Sequence, residues 1–413
     1  MKKILISIIA INSLMVAGAY KIPEQSLNSM ALGAAYVAHT EGADTAYFNP
    51  ANMVFLDFDN GYNMVEFGLT LAHLPEYKFR GYQAFWEDEV YSADGESKVE
   101  NITIPYFHLV SSFSEDISVG WSVVVPAGLS KRWDSGYQKL FAQEFTLKVI
   151  ESNPVVAYKV SDNFSIAGGL RFICSSGKVY SDGTQVGKPI KREMEGDDSG
   201  YGYNLATSYR PTKDINLALT YRSNVDLREY GVSNLYIGDL GKQYTAEVKI
   251  PLPASLNFAV SKTWMDRFTL EFDYERTYWS KYKSLDFNYY SPIQPTLVEY
   301  FDDPIPKNWK DTNTFRIGAT FKTDNITYML GYAIDETPIP KEYLSYELPD
   351  SDGQIFSMGV KVKATEKLSW GIAYLHDKKD TITLKEGENV NGIIGKFSGG
   401  GADLLTTSVS YQF

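Results

Sequence analysis

Histidine and cysteine, the side chains that most often supply nucleophiles and metal ligands, are scarce in this chain. It has four histidines, at positions 39, 73, 108 and 376, and one cysteine, Cys174. The histidines lack the HExxH spacing of a zinc site, and a single cysteine forms neither a thiolate zinc site nor an internal disulfide. The sequence also lacks a Gly-x-Ser-x-Gly nucleophile elbow and a P-loop. We therefore predict no catalytic residues, no metal and no cofactor, and we expect the protein not to be an enzyme.

Basic side chains on one face of a strand are the remaining candidates for chemistry. The odd-numbered residues from 315 to 321 are apolar, so the alternation of a strand places Lys310 and Arg316 on the opposite face. Arg171 is likewise opposite in parity to Leu170 and Phe172. Such cations can bind an anionic ligand, or they can pair with neighbouring acids. The sequence leaves both interpretations open.

The overall composition indicates the class of protein that would carry these cations. The formal net charge is −12 and no block of Lys and Arg is present, which argues against a nucleic-acid partner. After the first nineteen residues, no apolar run reaches the roughly 18 residues that a membrane-spanning helix needs. If the chain crosses a membrane, it must therefore do so as a closed barrel.

The N-terminus has the three parts of a secretory signal peptide. Lys2 and Lys3 are followed by the apolar run Ile4–Val16 and by Ala17-Gly18-Ala19, a small-residue cleavage site. We predict that residues 1–19 are removed on export. A retained membrane anchor is the alternative, although the apolar run is short for one.

From Asn60 to the C-terminus, segments of roughly ten residues alternate in polarity and are separated by turn residues. Val65, Phe67, Leu69 and Leu71, for example, share one face of a strand. About fourteen such segments follow one another, joined alternately by short turns and by long polar segments at 74–100, 130–143 and 181–198. This pattern predicts an all-β fold, a transmembrane antiparallel β-barrel with its long loops on one side.

The stretch from Tyr20 to Met53 does not have the strand pattern. It is rich in alanine and glycine, which suits close packing against other backbone, and Asn49-Pro50 interrupts it because a residue before proline avoids the helical region. An ordinary N-terminal helix and loop would also fit these residues. A compact segment that packs closely against other backbone is the other interpretation.

Four motifs, in this order along the chain, resemble the FadL family of outer-membrane transporters. They are Asp44–Ala51, which contains Asn49-Pro50-Ala51, then Asn308–Asp311, Gly331–Pro340 and Leu348–Asp352. The resemblance implies an N-terminal hatch at residues 20–55 that plugs a barrel formed by residues 56–413. It also implies that Asn49, Pro50 and Ala51 belong to the gate, and that the chain lies in a Gram-negative outer membrane.

The family's function implies roles for several further residues. A passive importer of hydrophobic compounds, most typically long-chain fatty acids, would bind a carboxylate at Lys310, Arg316 or Arg171. The family has a kinked third strand that opens the wall laterally, and Pro126 and Gly128 occupy that place here. The alternative is that the third strand simply ends in a loop at Pro126.

The long loops are expected to capture the solute through the aromatic residues Tyr82, Phe85, Trp86 and Trp133. The expected partners are the hydrophobic ligand, outer-membrane lipid and lipopolysaccharide, and the barrel assembly machinery, whose signal the terminal Phe413 resembles. Three alternative functions stay open at this point: an importer of aromatic hydrocarbons such as toluene, a general porin, and an outer-membrane hydrolase whose catalytic residues are far apart in sequence.

Overall fold

The protein is described here by a computed structural model that covers residues 18–57, 63–84 and 90–413. Most of the predicted signal peptide, and the predicted capture residues Phe85 and Trp86, lie outside these ranges. Among the described residues, no helix is long and apolar enough to cross a bilayer.

Sixteen strands form the wall of the molecule, with numbers that follow the chain order and skip the shorter strands of the connections, which are described below. They are β1 (Asn63–Leu74), β5 (Glu100–Ser112), β6 (Ile117–Arg132), β7 (Glu144–Ser161), β8 (Phe164–Asp182), β9 (Ile190–Thr212), β10 (Ile215–Arg222), β11 (Val225–Ile237), β12 (Leu240–Leu252), β13 (Ser255–Trp264), β14 (Phe268–Thr277), β18 (Thr312–Lys322), β19 (Ile326–Asp335), β20 (Gly353–Lys363), β21 (Leu368–Lys379) and β24 (Ala402–Gln412).

These strands close into an antiparallel barrel of fourteen crossings, as the sequence predicted. The number follows because β10 and β11 form one crossing interrupted at Ser223-Asn224, and β12 and β13 form another interrupted at Pro253-Ala254. The last strand pairs with the first, with Tyr411 opposite Val65. Because every strand of the wall has a neighbour on both sides, no edge strand remains, which is the condition for strands to cross a bilayer.

Alternation of side chains separates an apolar outer face from a polar interior. On β1, Phe67 is 60% exposed on the outside, whereas its neighbour Glu66 is fully buried inside. On β24, Val409, Tyr411 and Phe413 are exposed, and the last two rings stack at 5.9 Å. Exposed aromatic residues at a strand end are typical of the girdle where a barrel meets the membrane surface.

The long connections are more ordered than their polarity predicts. Their strands are β2 (Tyr77–Ala84), β3 (Val90–Ser92), β4 (Gly95–Glu96), β15 (Ser284–Leu285), β16 (Phe287–Tyr289), β17 (Ile305–Pro306), β22 (Ile382–Leu384) and β23 (Ile393–Gly399). The helices are α3 (Gly136–Ala142) and α4 (Pro295–Phe301), with 3-10 turns at Thr184–Val186, Trp279–Lys281 and Lys341–Tyr343.

Two of the predicted loops therefore need correction. The segment 74–100 contributes β2, β3 and β4 to a small sheet with β22 and β23. The segment 181–198 is mostly strand, because β9 already begins at Ile190. Its outward side chains are charged while Arg192 and Met194 are buried, so this part of the wall continues the barrel beyond the apolar belt. Polarity alone does not distinguish such a strand from a loop.

The N-terminal segment, residues 20–55, lies inside the barrel. It contains α1 (Leu27–Ala31), α2 (Thr45–Phe48) and a 3-10 helix (Pro50–Phe55). Helix α1 packs against β19, β20 and β21, and the 3-10 helix packs against β6, β7 and β8. Since these two groups of strands belong to different parts of the wall, the segment spans the lumen.

Side-chain hydrogen bonds hold the short helices of this segment. Ser26 caps α1 by accepting from the N–H of Ser29 at 3.1 Å. Asn49 is fully buried; its Oδ1 accepts from the N–H of Ala51 at 3.2 Å, and its Nδ2 donates to the carbonyl of Val37 at 2.9 Å. Pro50 follows as the first residue of the 3-10 helix, where its missing N–H costs nothing.

The close approach of this segment to the wall gives a test of its packing. A Cβ on Gly331 would lie 2.1 Å from the backbone of Leu32, so we expect Gly331→Val to displace α1 and to destabilise the segment by about 1–3 kcal/mol. The measurement is thermal unfolding together with the rate of chymotrypsin cleavage at Tyr36 and Tyr47, which should rise.

The matched control is Gly168→Val, because a Cβ at Gly168 meets Leu205 at an ordinary 3.6 Å. Equal behaviour of the two variants would contradict the packing of α1 against β19.

Candidate functional site

The ladder between β5 and β6 is incomplete. It runs from Ser112 opposite Ser118 to Phe107 opposite Val123 and stops there, although β5 stays paired with β1 as far as Glu100. Strand β6 itself continues to Arg132 and remains paired with β7, with a bulge between Val124 and Ala127. Pro126 therefore does not end the strand. It lies in the bulge, on a stretch of wall that has no partner on its β5 side.

The start of the N-terminal segment takes the place of the missing partner strand. The N–H of Gly128 donates to the carbonyl of Tyr20, and the N–H of Ile22 donates to the carbonyl of Pro126, both at 2.9 Å. The Gln25 carboxamide completes the pattern: it accepts from the N–H of Val125 at 2.9 Å and donates to the carbonyl of the same residue at 2.8 Å. Every bond in this set is one that a neighbouring strand would otherwise make.

A central cavity lies between this segment and the wall. Its lining is largely apolar and aromatic, and includes Tyr47, Phe48, Pro126 and Pro253. Its charged lining residues are Lys21, Arg171, Arg222, Glu275 and Arg316. Two of the three predicted cations, Arg171 and Arg316, therefore line the same cavity, which adjoins the bulge at Pro126.

On one side of the cavity, two arginines share one carboxylate. Glu151 is fully buried; Arg171 donates to its Oε2 through Nη2 at 2.9 Å and through Nε at 3.1 Å, and Arg222 pairs with Oε1. The Arg222 guanidinium also lies 4.3 Å from the centre of the Tyr47 ring. With two cations for one anion, this cluster has a surplus positive charge.

On the other side, Lys21 and Arg316 share Glu275. Arg316 donates to Glu275 Oε2 at 2.7 Å, and Lys21 pairs with Oε1. Asp273 and Asp335 also attract Arg316 electrostatically, so this side has no excess of positive charge. The surplus positive charge of the cavity is therefore located at Arg171 and Arg222.

Glu24 is a further charged group of the N-terminal segment. It is 2% exposed, and neither of its carboxylate oxygens has a hydrogen-bond partner among the described residues. Burial raises the pKa of Glu24 to about 7, although Arg316 opposes the shift.

The expected inward position of Lys310 is wrong. Strand β18 begins only at Thr312, and Asn308 has a left-handed φ of 42°, so the alternation does not extend back to position 310. The Lys310 side chain is exposed. Lys307 is buried in its place, 3% exposed, and pairs with Glu347.

Lys307 lines a second cavity, which is more apolar and lies nearer the long loops. Phe145, Leu147, Ile250 and Leu285 are among its walls. Tyr20 lines both cavities. Its ring packs edge-on against Trp279 at 4.8 Å and lies 5.7 Å from Trp309, so Tyr20 separates the two spaces.

The predicted capture residues differ in their exposure. Tyr82 is 53% exposed on β2. Trp133 is fully buried, and its Nε1 donates to the carbonyl of Tyr346 at 3.0 Å, so its expected role in capture is wrong. Its indole ring packs edge-on against Tyr346 at 6.0 Å, and the ring of Phe141 stacks on Tyr346 at 5.9 Å, so these rings connect the loops.

Several residues of the site were not identified from the sequence, among them Arg222, Lys307 and Gln25. Arg222 could have been found, because Leu217, Leu219 and Tyr221 alternate with it. Lys307 and Gln25 lie outside any periodic segment, and no sequence signal indicates their partners. Within the described ranges, no three His, Cys, Asp or Glu side chains are grouped so that they would hold a metal ion.

Comparison with known proteins gives a consistent result along the whole chain. The family model described as "Outer membrane protein transport protein (OMPP1/FadL/TodX)" matches residues 8–413. The long-chain fatty acid transport protein of Escherichia coli is 23% identical over 371 residues, which cover 76% of this chain and 79% of that protein.

Solved structures share the fold. A FadL homologue from Pseudomonas aeruginosa superimposes with a TM-score of 0.79 at 20% identity, covering 96% of this chain and all of that one. The toluene transporter TodX of P. putida superimposes with a TM-score of 0.72 at 16% identity, covering 95% of this chain and 99% of that one.

The shared carboxylate of the central cavity gives a test of its electrostatics. We expect Glu151→Gln to destabilise the protein by about 3–5 kcal/mol, because it leaves two buried arginines without an anion. The measurement is denaturant unfolding in non-ionic detergent. Glu193→Gln, at an exposed position on β9, is the control and should change the stability by less than about 0.5 kcal/mol. An equally small effect of Glu151→Gln would show that burial of Arg171 and Arg222 does not depend on the negative charge of Glu151.

Proposed function

Because the chain belongs to the OMPP1/FadL/TodX family of outer membrane transport proteins, whose model matches residues 8–413, we propose that it imports long-chain fatty acids. As a member of this family, the protein is a Gram-negative outer-membrane β-barrel that transports hydrophobic compounds. Its long connections accordingly face the outside of the cell and its short turns face the periplasm.

The observation that carries the proposal is the pair of arginines on one carboxylate. A fatty acid has an apolar chain and one negative charge, so its site needs an apolar wall and a fixed cation that is not already neutralised. The central cavity has both, since Arg171 and Arg222 exceed Glu151 by one charge. A carboxylate bound there would balance the cluster.

The proposed path uses the two cavities in turn. The solute is captured by exposed aromatic residues of the loops such as Tyr82, enters the outer cavity beside Lys307, and passes Tyr20 into the central cavity. It then leaves sideways between β5 and β6, where Pro126 and Gly128 form the lateral opening. Nothing in the path requires an energy source, so each stage must bind weakly enough to release the solute.

The N-terminal segment acts as the gate in this proposal. Its residues Tyr20, Ile22 and Gln25 occupy the free side of β6. If the segment moves away, the backbone groups of residues 125–128 lose their partners inside the bilayer, at a cost of several kcal/mol unless the polar head of the solute or water replaces them. The packing of Asn49, Pro50 and Ala51 sets how easily the segment moves. We also propose that the barrel assembly machinery recognises Phe413 and that the outside of the barrel contacts lipid and lipopolysaccharide.

An importer of aromatic hydrocarbons is the second candidate. The resemblance of the fold to the TodX structure and the aromatic cluster around Tyr20 favour it. The two candidates differ in the need for the surplus cation, because toluene has no charge to balance.

A disulfide that fixes the gate tests the lateral release. Lys21 and Ala127 are antiparallel bridge partners, a geometry that a disulfide can span. In a Cys174→Ser background, we expect Lys21→Cys combined with Ala127→Cys to stop palmitate uptake by cells when oxidised, and to restore it on reduction.

The control is a disulfide between two permanently paired strands, Thr70→Cys with Thr406→Cys, whose hydroxyls are 2.9 Å apart. This pair should leave uptake unchanged. Undiminished uptake with the gate cross-linked would reject the movement of the N-terminal segment away from β6.

A single substitution distinguishes the two cargo classes. Arg222→Met keeps a one-to-one pair of Arg171 with Glu151, so we expect normal folding and an about tenfold or greater loss of palmitate affinity. Binding of toluene should be unaffected. The measurement is equilibrium binding in detergent, with the exposed Arg267→Met as control. Wild-type binding of toluene but not of palmitate would replace the proposed cargo with an aromatic hydrocarbon.

A further inference from the structure

The wall has a second break, between β9 and the crossing formed by β10 and β11. The ladder of β9 with β10 ends at Asn204 opposite Arg222, and pairing resumes with β11 only at Asp197 opposite Tyr230. In this fully described part of the chain, the seven residues between Arg222 and Tyr230 face the six residues between Asp197 and Asn204 without ladder pairing. Both strands stay paired on their other sides, β9 with β8 and β11 with β12. The break is therefore confined to one seam of the barrel.

Side chains make several of the hydrogen bonds across this seam. The Ser223 hydroxyl accepts from the N–H of Tyr203 at 2.9 Å, and the Asp198 carboxylate accepts from the N–H of Arg228 at 2.6 Å. One backbone bond accompanies them, from the N–H of Ser223 to the carbonyl of Tyr203 at 2.9 Å. Arg171 donates to the carbonyl of Ser223 through Nη1. Such bonds can be exchanged one at a time, without unzipping a strand.

Arg171 places the carboxylate site of the central cavity directly behind the seam. The guanidinium that donates to Ser223 also donates to Glu151. Arg222, which shares Glu151 with it, is the last paired residue before the break. The surplus positive charge of the cavity therefore lies next to the one stretch of this wall that a ladder does not close.

The cavity also reaches the outer layer of the wall at this place. Leu205 is 53% exposed on the outside of β9, and Tyr221 has the parity of the exposed Leu219 on β10. Both Leu205 and Tyr221 are nevertheless among the lining residues of the central cavity. Only the seam lies between these residues and the bilayer.

The seam lies at the upper edge of the apolar belt. On β9, the outward side chains change from Leu205 through Tyr203 and Tyr201 to the exposed Asp197. Tyr201 is 73% exposed, and the Tyr203 ring lies 5.9 Å from that of Tyr221. Tyrosines in this position mark the level of the lipid headgroups. A fatty acid dissolved in the outer leaflet has its carboxylate at the same level.

Val225 fills the seam from the inside. It is 3% exposed. A Cβ on Gly200 would lie 2.5 Å from Val225 Cγ1, and a Cβ on Gly202 would lie 2.8 Å from Val225 Cγ2. The two glycines therefore leave the space that the valine side chain occupies. Displacement of one small side chain, and not of a whole strand, is what separates the cavity from the bilayer here.

We propose that this seam is a side entrance to the central cavity for amphiphiles dissolved in the outer leaflet. The carboxylate passes between β9 and β11 to Arg171 and Arg222, and the apolar chain follows from the bilayer. On arrival, the carboxylate accepts the hydrogen bond that Arg171 otherwise donates to Ser223, and Val225 moves inward. The solute still leaves at Pro126, so the two breaks in the wall serve entry and release. The inference rests on the proposed function, because the fatty-acid carboxylate site is its destination.

The alternative is that the seam is only a bulge. It adds one residue to the β10–β11 crossing relative to β9, as a bulge does, and its side-chain bonds would then only satisfy the backbone. The two roles differ when the seam is locked. A structural bulge can be fixed without any effect on transport, whereas an entrance cannot.

The experiment locks the seam with a disulfide in the full chain. In a Cys174→Ser background, Gly200→Cys combined with Val225→Cys brings the sulfurs within bonding reach, because the Cβ at position 200 adjoins a Val225 methyl group. We expect oxidation to lower the rate of palmitate uptake by cells about fivefold or more, and reduction to restore it. The equilibrium affinity for palmitate in detergent should not change, because the solute still enters past Tyr20. The control is the oxidised pair Thr70→Cys with Thr406→Cys, which should leave uptake unchanged.

A second variant widens the seam and should act in the opposite direction. Val225→Ala removes the two methyl groups that cover the glycines, so we expect palmitate uptake to rise about twofold to fivefold. Val232→Ala, at a lipid-facing position on the same strand that is 42% exposed, is the matched control and should leave uptake unchanged. Full uptake with the oxidised disulfide would overturn the entrance. If the disulfide variant does not fold, unchanged uptake by Val225→Ala overturns it instead.

Failure of this inference and failure of the proposed function give different results. If locking the seam leaves palmitate uptake intact while Arg222→Met weakens palmitate binding, the side entrance is wrong and the import of fatty acids stands. If the wild type binds no palmitate but the locked seam lowers the uptake of toluene, the entrance stands for uncharged solutes and fatty acids are not the cargo.

Discussion

The structure depends on one requirement: the backbone of β6 between residues 125 and 128 must have hydrogen-bond partners inside a bilayer. Strand β5 does not supply them, because its ladder with β6 stops at Phe107. Residues 20–25 supply them instead, through the carbonyl of Tyr20, the N–H of Ile22 and the carboxamide of Gln25. The wall is therefore closed by a segment that is not part of it. The proposed gate depends on this closure, because a segment outside the ladder could leave without unzipping a strand of the barrel.

This arrangement explains why the interior holds so many buried charges. As a gate, the N-terminal segment would have to remain in place between transport events. Lys21 pairs with Glu275, and the N–H groups of Val37, Ala38 and His39 donate to Glu271. Charge-assisted bonds of this kind hold a defined geometry, yet their net contribution to stability is small once desolvation is included. Such contacts therefore fix the position of the segment without making its movement prohibitive.

The sequence predicted the barrel much better than the site. Every lipid-facing residue of a barrel strand has to be apolar, and the alternation along β1 and β24 reflects this constraint. The number of crossings and the closure of the barrel could therefore be predicted from the pattern. Arg171 and Arg316 were found by the same rule. The inward position of Lys310 was wrong because the left-handed conformation of Asn308 ends the alternation. The exposed position of Trp133 was wrong because an aromatic residue in a loop can be buried as easily as exposed. The contacts of Gln25 join residues a hundred positions apart, and no local pattern contains them.

The distribution of opposite charges accounts for how a passive path can bind an anion and still release it. In the proposed central site each pair of cations shares a carboxylate: Glu151 pairs with Arg171 and Arg222, and Glu275 pairs with Lys21 and Arg316. When a solute carboxylate leaves, these residues take back the hydrogen bonds, so no bare cation is exposed in an apolar space. A site of unpaired lysines or arginines in the same cavity would bind more tightly and would retain its ligand. Because a steady flux needs release at every stage, the paired acids are as necessary to the path as the cations.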